Sequence, residues 1–245
     1  LRLLEGTEVE INVFDRKIMV THTERQVNRP VRAVIFDLDG VITDTARYHF
    51  KAWKRIADEL NIPFDEGKNE QFKGVSRTEC MALLLKMGQK EMTEQEAEEW
   101  LDRKNAYYLE ELHSLSPSDV LPGISETINF LRGRGIPTVM FSSSKNADFI
   151  LKCIGLNGAF DGIVTGNDIT HSKPHFEGYL LAAERIGIDP RLCVMVEDAA
   201  AGLAGARALS MRTIGVGAKL PADIADFTLS DTNSLLERIE RMISE

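Results

Sequence analysis

The sequence is organised around the stretch Phe36-Asp37-Leu38-Asp39-Gly40-Val41-Ile42-Thr43-Asp44-Thr45. It follows a short apolar run, Val31–Phe36, which is rich in β-branched residues and stands between a proline and a glycine. Such a run predicts a strand that is buried on both faces of a sheet. Alternate residues of an extended chain point the same way, so Asp37 and Asp39 can face one small volume where this strand ends. Gly40 then allows the backbone to turn sharply beyond the two acids.

Two carboxylates held this close repel each other, and the repulsion raises the pKa of one of them unless a cation sits between them. The pair Asp37 and Asp39 therefore indicates either a metal site or a nucleophile beside an acid/base residue. The alternative for a short acidic motif is a solvated loop without chemistry. The buried strand before the acids, and the polar residues that follow other predicted strands, favour a functional site.

Composition and charge exclude several classes of protein. The chain has 245 residues, 43% of them hydrophobic and 27% charged, which is typical of a globular protein with one mid-sized domain and an insertion, or with two small domains. A net charge of −9 argues against nucleic acid or an anionic membrane as a partner. No apolar run is long enough to span a bilayer, and no signal-peptide pattern is present. Three widely spaced cysteines, Cys80, Cys153 and Cys193, indicate reduced thiols in a cytoplasmic protein.

Residues 1–30 differ in pattern from the rest of the chain. Val9, Ile11 and Val13 alternate with polar residues, as do Ile18 and Val20, which predicts a two-stranded β-hairpin extension. An isolated hairpin is marginally stable in water. Because the chain begins with Leu rather than Met, one interpretation is a piece of a longer polypeptide, and an extension added by cloning is the other.

Residues 46–116 carry helical patterns and no obvious strand, which predicts an inserted α-helical cap. Phe50, Trp53, Ala57 and Leu60 fall on one helix face. Two further helices are predicted to begin at the capping-box sequences Ser76-Arg77-Thr78-Glu79 and Thr93-Glu94-Gln95-Glu96.

From residue 117 the sequence alternates between strand and helix patterns. The predicted strands are Thr138–Ser142, Ile163-Val164, Cys193–Val196 and Thr213–Val216, and the predicted helices are Ile124–Arg132, Lys145–Cys153, Phe176–Ile186, Ala199–Leu209 and Leu235–Ile243. Residues 218–232 give no clear signal. This alternation predicts an α/β fold, a Rossmann-like doubly wound parallel sheet with helices on both faces. Residues 31–45 and 117–245 form this core in our assignment, and residues 46–116 form the cap.

Sites in such sheets lie at the carboxyl ends of the strands, where polar residues from several strands should meet. Polar groups follow the predicted strands at Asp37 and Asp39, at Ser142-Ser143-Ser144-Lys145-Asn146 and at Glu197-Asp198, and Ser172-Lys173-Pro174 precedes a helix. The sequence therefore predicts one site built from four acids, a run of hydroxyl groups and a lysine.

At these residues the chain resembles a known group of enzymes. Phe36-Asp37-Leu38-Asp39-Gly40 is similar to the nucleophile motif of the haloacid dehalogenase superfamily of phosphotransferases. The longer string through Thr45, with Tyr48-His49, resembles the β-phosphoglucomutase family, and the resemblance covers residues 31–245. It implies a sugar phosphate as the small-molecule partner. It also implies conversion of β-D-glucose 1-phosphate to glucose 6-phosphate, with β-glucose 1,6-bisphosphate as intermediate and activator.

Within that resemblance, the expected catalytic residues are Asp37, Asp39, Ser142 and Lys173. Asp37 would form an aspartyl phosphate and Asp39 would act as general acid/base. Ser142 and nearby backbone N–H groups would cradle the phosphoryl oxygens, with Lys173 adding positive charge. Mg²⁺ would shield the negative charges, and its expected ligands are the Asp37 carboxylate, the Asp39 backbone carbonyl, Asp198 and the nearby Glu197.

A mutase also needs a second phosphate site away from Asp37, because its intermediate carries two phosphates. Arg77, at a predicted helix start, can bind a phosphate through its guanidinium fork, and the resemblance implies that it works with Ser144, Lys145 and Asn146. Further substrate contacts are implied for Thr45, His49, Trp53, Lys73, Gly74, Val75, Ser76, Lys104 and Ser143. Arg103 and Asn105 also match the pattern of the β-phosphoglucomutase family. The alternative for Arg103 and Lys104 is a solvated helix face without a role in binding.

The chain departs from the family pattern after Lys173. His175-Phe176-Glu177 stands where relatives commonly carry a second proline and an aspartate, so the next helix is expected to start differently. Because Lys173 itself is retained, we expect little effect on the chemistry.

Two other functions stay open at this point. A sugar-phosphate phosphatase would use the same core, with water attacking the aspartyl phosphate. A catalytically silent module fused to a carbohydrate enzyme would lack at least one site residue. The run Leu3-Leu4-Glu5-Gly6-Thr7-Glu8-Val9-Glu10-Ile11 resembles the last strands of the small β-domain that closes maltose- and trehalose-type glycoside phosphorylases, so a phosphorylase fused upstream is a candidate partner.

Overall fold

The structure is a computed structural model that describes residues 8–14, 17–23, 29–72, 76–218, 220–221 and 223–244. In chain order its strands are β1 Glu8–Phe14, β2 Lys17–Thr23, β3 Ala33–Phe36, β4 Thr138–Phe141, β5 Gly162–Val164, β6 Cys193–Glu197, β7 Arg212–Val216 and β8 Phe227–Leu229. Its α-helices are α1 Ala46–Glu59, α2 Glu66–Asn69, α3 Arg77–Met87, α4 Glu94–Leu112, α5 Ile124–Gly133, α6 Ala147–Cys153, α7 Glu177–Arg185, α8 Ala200–Ala208 and α9 Leu235–Ser244. The chain divides into two compact units, one of Leu1–Ile42, Leu121–Ala147 and Asn157–Glu245 and the other of Thr43–Val120 and Asp148–Leu156.

The amino-terminal strands β1 and β2 pair antiparallel, from Glu8 opposite Thr23 to Phe14 opposite Lys17. They form a two-stranded sheet at the positions that the alternating sequence predicts. The rest of the predicted extension, at residues 1–7, 15–16 and 24–28, lies outside the described residues.

The first unit is built on a parallel sheet, in which the described residues form six strands in the order β5-β4-β3-β6-β7-β8. Strand β3 lies in the interior, paired with β4 on one side and β6 on the other. All residues of β3, β4 and β6 are buried, which is why their sequences are continuous apolar runs without alternation. The strand order runs outward in both directions from β3 and β6. This reversal makes the carboxyl ends of these two strands the expected place for a site.

Helices cover both faces of this sheet, which confirms the predicted doubly wound fold. On one face, Ala33 and Ile35 of β3 belong to a buried cluster that includes Tyr179 of α7 and Ala206 of α8. Because alternate residues of a strand point to opposite faces, Val34 and its equivalents on other strands face the other layer. That layer contains α5, which contacts both β4 and α9.

The second unit is helical over its described residues apart from a bridge between Thr43 and Val120. Its core includes Trp53 and Ile56 of α1 and Leu84 of α3. Both predicted capping boxes are confirmed, because the hydroxyl groups of Ser76 and Thr93 accept hydrogen bonds from the N–H groups three residues later and the carboxylates of those residues reach back. Most of α6 belongs to this unit, where the Phe149 ring meets His113 edge-on at 5.4 Å between centroids.

Predicted and observed element bounds differ by one or two residues at most ends, which is the usual precision of helix and strand termini. The sequence gives no sign of β8, because this strand has only three residues and pairs only with β7 at the edge of the sheet. None of the described helices is long and apolar enough to cross a membrane.

Helix α7 packs closely on β4 because Gly178 has no side chain. A Cβ at Gly178 would overlap the ring of Phe141, whereas a Cβ at Gly133, at the end of α5, would meet no atom within 4 Å. We expect Gly178→Ala to lower the free energy of unfolding by about 1–3 kcal/mol through overpacking. The matched control Gly133→Ala should leave it unchanged or raise it by up to about 1 kcal/mol, since alanine favours the helix. Urea denaturation of both variants measures this, and equal midpoints would contradict the packing argument.

Candidate active site

Three neighbouring strands of the first unit end in polar residues. Asp37 follows β3, Ser142 follows β4, and Glu197 is the last residue of β6. The backbone hydrogen bonds between neighbouring strands continue to Asp37 and Ser142, because the Asp37 N–H donates to Val196 O at 2.9 Å and the Ser142 N–H donates to Val164 O at 2.9 Å. All three residues are buried. The sheet therefore brings the predicted strand-end residues to one edge.

The ammonium group of Lys173 lies at the centre of this edge. Its Nζ donates to Asp37 Oδ1, to Glu197 Oε2 at 2.8 Å and to the Phe141 carbonyl oxygen at 3.1 Å. An ammonium group has three donors, and here each meets an acceptor at the end of a different strand. The side chain of Lys173 is only 11% exposed, and those of Asp37 and Glu197 are 10% and 2% exposed. Lys173 is therefore a buried cation shared by two buried carboxylates.

Burial and charge shift the pKa values of these groups. Desolvation and then the charge of Glu197 raise the pKa of Asp37 well above its usual value, and Lys173 opposes this shift. Burial lowers the pKa of Lys173, but the charges of Asp37 and Glu197 outweigh burial and raise it overall. The lysine therefore stays charged at neutral pH. Its charge favours the ionised form of Asp37, the form that a nucleophile requires.

Asp198 completes a cluster of carboxylates with Asp37 and Glu197. One oxygen from each lies within 4.8 Å of the others. The backbone of Gly40 has φ of +79°, and a Cβ there would overlap the Asp198 carboxylate, so glycine at this turn lets the acid approach. Asp198 is exposed as a residue, and desolvation of its carboxylate and then the charge of Glu197 raise its pKa to about 7.

The donor set of this cluster fits a hard divalent cation. Carboxylate oxygens are the ligands that Mg²⁺ prefers. Burial, followed by the negative charge of neighbouring carboxylates, raises the pKa of Asp37 and Asp198, and a bound cation would oppose both shifts. Glu197 is less available as a metal ligand than Asp37 and Asp198. Its Oε1 accepts the N–H groups of Asp198 at 3.2 Å and Ala199 at 3.1 Å, and its Oε2 accepts Lys173. Asp37 and Asp198 are thus the better candidates for direct ligands, with Glu197 positioning the loop and the lysine.

The hydroxyl run after β4 forms tight turns in which serine hydroxyls accept backbone N–H groups two residues later. The Ser144 N–H donates to Ser142 Oγ at 3.1 Å and the Asn146 N–H donates to Ser144 Oγ at 3.2 Å. Ser143 Oγ accepts the backbone N–H of Lys173 at 3.4 Å, which links this run to the lysine loop. Lys145 is exposed. Asp39 is partly buried beside the cluster and contributes to the raised pKa of both Asp37 and Asp198.

The second unit contains a separate polar group formed by His49 and Lys104. Lys104 is 5% exposed, and its Nζ lies 2.8 Å from His49 Nδ1. Because an ammonium group only donates, Nδ1 must be the acceptor, so the neutral ring has its proton on Nε2. Desolvation, and then the charge of Lys104, hold the pKa of His49 well below its usual value. His49 is therefore a neutral donor at physiological pH.

The other residues predicted to bind substrate have different surroundings in this unit. Trp53 is 3% exposed, lies in the core, and places its ring 5.2 Å from Lys104 Nζ. Thr45 is fully buried. Ser76 caps α3, and Arg77 is the exposed first residue of that helix, without an ion pair to any residue that the structure describes. Lys73, Gly74 and Val75 lie outside the described residues.

Sequence reasoning missed Tyr108. Its ring stacks on His49 with centroids 3.9 Å apart, its hydroxyl donates to Thr45 Oγ1 at 3.1 Å, and Lys104 Nζ lies 4.7 Å from its ring centroid. The available signal was helical spacing, because residues 104 and 108 are one turn apart on the same face of α4. Tyr108 therefore holds the histidine and lysine in place.

Comparisons with known proteins agree with this geometry. The sequence profile of the haloacid dehalogenase-like hydrolases matches residues 31–209. A β-phosphoglucomutase of Bacillus subtilis strain 168 is 40% identical over 207 residues, which are 84% of this chain and 92% of that protein. The crystal structure of a β-phosphoglucomutase from Clostridium difficile superimposes with a TM-score of 0.80 and 34% identity over 87% of this chain and 97% of that one. A phosphorylated carbohydrates phosphatase of Thermotoga maritima is 28% identical over 187 residues, 75% of this chain and 84% of that protein.

Replacing Lys173 with methionine leaves the buried carboxylates of Asp37 and Glu197 without their shared cation. Breaking a buried ion pair from one side costs about 3–5 kcal/mol, so we expect a loss of this size in the free energy of unfolding at neutral pH. Removing the lysine also raises the pKa of Asp37 further. A carboxyl group whose folded-state pKa lies above its unfolded value binds its proton more tightly in the folded protein. The loss of stability should therefore shrink as the pH falls and Asp37 of the variant takes up its proton.

Urea denaturation in a chelating buffer at several pH values measures this effect. Lys152→Met, which removes an exposed lysine from α6, is the control and should change the free energy of unfolding by no more than about 0.5 kcal/mol at any pH. A Lys173→Met chain whose stability follows that of the unmodified protein across pH would show that the ammonium group does not compensate the two acids.

Proposed function

Because the chain belongs to the haloacid dehalogenase-like hydrolase family, we propose that it transfers phosphoryl groups and acts as a β-phosphoglucomutase. The observation that carries this proposal is the shared contact of the Lys173 ammonium with Asp37 and Glu197, beside the carboxylate of Asp198. The reaction would convert β-D-glucose 1-phosphate to glucose 6-phosphate through β-glucose 1,6-bisphosphate. We place it in the cytoplasm, in keeping with free cysteines and the acidic composition.

Asp37 is the proposed nucleophile. Lys173 holds its Oδ1, and among the described residues no hydrogen bond reaches its Oδ2, so Oδ2 is the oxygen that would attack phosphorus. An O–P bond forms to Asp37 while the bond from phosphorus to the sugar oxygen breaks, and the sugar oxygen takes a proton. In the reverse transfer, the other hydroxyl of the sugar attacks the aspartyl phosphate and loses its proton.

Asp39 is the proposed general acid/base for both proton transfers. It follows Asp37 by two residues and is partly buried beside the same carboxylates. The backbone N–H groups and hydroxyls from Ser142 to Asn146 would bind the phosphoryl oxygens, since they already form donor-rich turns next to the lysine loop.

Asp37, Asp198 and the backbone carbonyl of Asp39 would hold Mg²⁺, which when bound supplies charge screening between the phosphoryl oxygens and the carboxylates. Glu197 would position this arrangement through its bonds to Lys173 and to the N–H groups of Asp198 and Ala199. The protein thus contributes hard oxygen ligands and one fixed ammonium group.

The second unit would supply recognition of the sugar phosphate. A neutral His49 with its proton on Nε2 can donate to a hydroxyl group, and Tyr108 and Lys104 fix its orientation. Arg77 would bind the phosphate that is not reacting, together with its chain neighbours Lys73, Gly74, Val75 and Ser76. Thr45 and Trp53 would contribute by positioning the residues that they contact, which are Tyr108 and Lys104 respectively.

A sugar-phosphate phosphatase is the second candidate function, because a phosphatase of phosphorylated carbohydrates is 28% identical to this chain. The core residues are the same for both reactions. The mutase stands first because similarity to a β-phosphoglucomutase is higher and extends over more of the chain.

We also propose that residues 1–30 belong to a glycoside phosphorylase fused upstream, which would produce the β-glucose 1-phosphate consumed by the mutase. The support is the resemblance of residues 3–11 to the final strands of such phosphorylases. The sequence of the undivided gene decides this, and a start codon a few residues before Leu1 would exclude it.

The proposed function is tested by supplying α- and β-glucose 1-phosphate separately, with a trace of glucose 1,6-bisphosphate, and measuring glucose 6-phosphate and inorganic phosphate in parallel. We expect glucose 6-phosphate from the β anomer and little free phosphate. Asp37→Asn should abolish turnover, because an amide does not form the aspartyl phosphate. Stoichiometric release of phosphate would establish the phosphatase instead.

Arg77 distinguishes the two functions. Removing an arginine from a desolvated phosphate contact costs about 2–5 kcal/mol, so Arg77→Ala should lower kcat/KM for the mutase reaction roughly 30-fold to several-thousand-fold. Phosphoryl transfer from acetyl phosphate to Asp37 should persist, leaving slow hydrolysis. Lys86→Ala is the matched control, since it removes an exposed cation from the other end of α3 and should change neither rate. Near-normal mutase turnover in Arg77→Ala would show that the second phosphate is bound elsewhere.

A further inference from the structure

Outside the proposed active site, the first unit contains another group of metal-ligating side chains. One donor atom each from His171, His175 and Glu177 lies within 4.8 Å of the other two. His171 and His175 lie in the segment between β5 and α7, and Glu177 is the first residue of α7. Lys173 lies between the two histidines in the chain.

Both imidazoles approach the same carboxylate oxygen. His171 Nδ1 lies 3.1 Å from Glu177 Oε2, and His175 Nδ1 lies 3.9 Å from it. The two rings lie 4.4 Å apart between centroids with an interplanar angle of 32°. An ion bonded to nitrogen and oxygen at about 2.0–2.2 Å joins donors up to roughly 4 Å apart. Small side-chain rotations therefore place all three donors in one coordination sphere.

The Glu177 carboxylate is fixed before any ion arrives. Its Oε1 accepts the Thr170 N–H at 3.0 Å and its Oε2 accepts the His171 N–H at 2.8 Å. These backbone bonds explain the glutamate as a cap of the preceding loop. The rings also make local contacts, because His175 Nδ1 accepts the Glu177 N–H at 3.3 Å and His171 Nδ1 lies within hydrogen-bond distance of Glu177 Oε2. An ion bound through both Nδ1 atoms would replace these two ring contacts. The histidines are accessible to solvent, with side chains 59% and 30% exposed, so an ion can enter and water can complete its coordination.

We propose that His171, His175 and Glu177 bind a late first-row transition-metal ion such as Zn²⁺. Two imidazoles and one carboxylate are ligands that zinc favours, whereas Mg²⁺ prefers oxygen alone and a nearly ideal octahedron. The chemistry of this site therefore differs from that of the all-carboxylate cluster at Asp37. A bound ion would join the chain on both sides of Lys173 and restrict the loop that presents the ammonium group.

Isothermal titration with Zn²⁺ in buffer with excess Mg²⁺ tests this proposal. The Asp198→Asn chain serves as the parent, because the substitution weakens the carboxylate cluster and lets the second site be measured separately. We expect the parent to bind one Zn²⁺ in the micromolar range. Loss of even an outer partner of a metal ligand costs about 10–100-fold in affinity, so adding His171→Asn and His175→Asn should weaken binding by at least about tenfold.

The matched control adds His113→Asn to the same parent, which removes an exposed histidine far from this loop in sequence and should leave zinc affinity unchanged. Circular dichroism of the metal-free variants checks folding. If the double substitution unfolds the chain, His171→Asn alone decides, because its largely exposed side chain is replaced with little loss of packing. Equal affinity with and without the histidines, or no zinc binding by the parent, would overturn the proposal.

Discussion

The Lys173 ammonium group stands where three neighbouring strands of the sheet end. It donates to the carbonyl of Phe141 at the end of β4, to Asp37 after β3 and to Glu197 at the end of β6. Without a cation, the two carboxylates would be buried beside each other with the same charge, which is costly in a region of low dielectric. The lysine enters from the loop after β5, so its contact with all three ends depends on the strand order of the sheet. The strand order of the sheet therefore determines which groups the lysine contacts, and the chemistry of the site depends on those contacts.

Glu197 and Asp198 contribute differently to the cluster. Glu197 is the last residue of β6, whereas Asp198 follows the strand, and one oxygen of each lies within 4.8 Å of the other. Glu197 is buried with both oxygens bonded, while Asp198 is exposed on one side and approaches the turn at Gly40. One acid therefore fixes the structure and the other is open to an ion.

Much of this arrangement could be predicted from the sequence, because buried parallel strands appear as continuous apolar runs and their carboxyl ends share one edge. The acids, the hydroxyl run and Lys173 are predicted at that edge on this ground. The contact of Lys173 with Asp37 spans 136 residues, and no local pattern specifies which carboxylate a distant lysine reaches. Tyr108 was missed because its effect on His49 depends on how α1 and α4 pack. Strand β8 was missed because three residues are too few to show a period.

The charges of the two units differ in a way that bears on the reaction. In the first, the carboxylates of Asp37, Glu197 and Asp198 face a single ammonium group, so the ionised cluster carries two uncompensated negative charges. A phosphoryl group is itself anionic, and such a cluster repels it until those charges are balanced. In the second, Lys104 lies next to a neutral imidazole, and the guanidinium group of Arg77 is exposed at the start of α3. The proposed phosphoryl transfer at Asp37 would therefore need a divalent cation, which would balance the charges of these carboxylates.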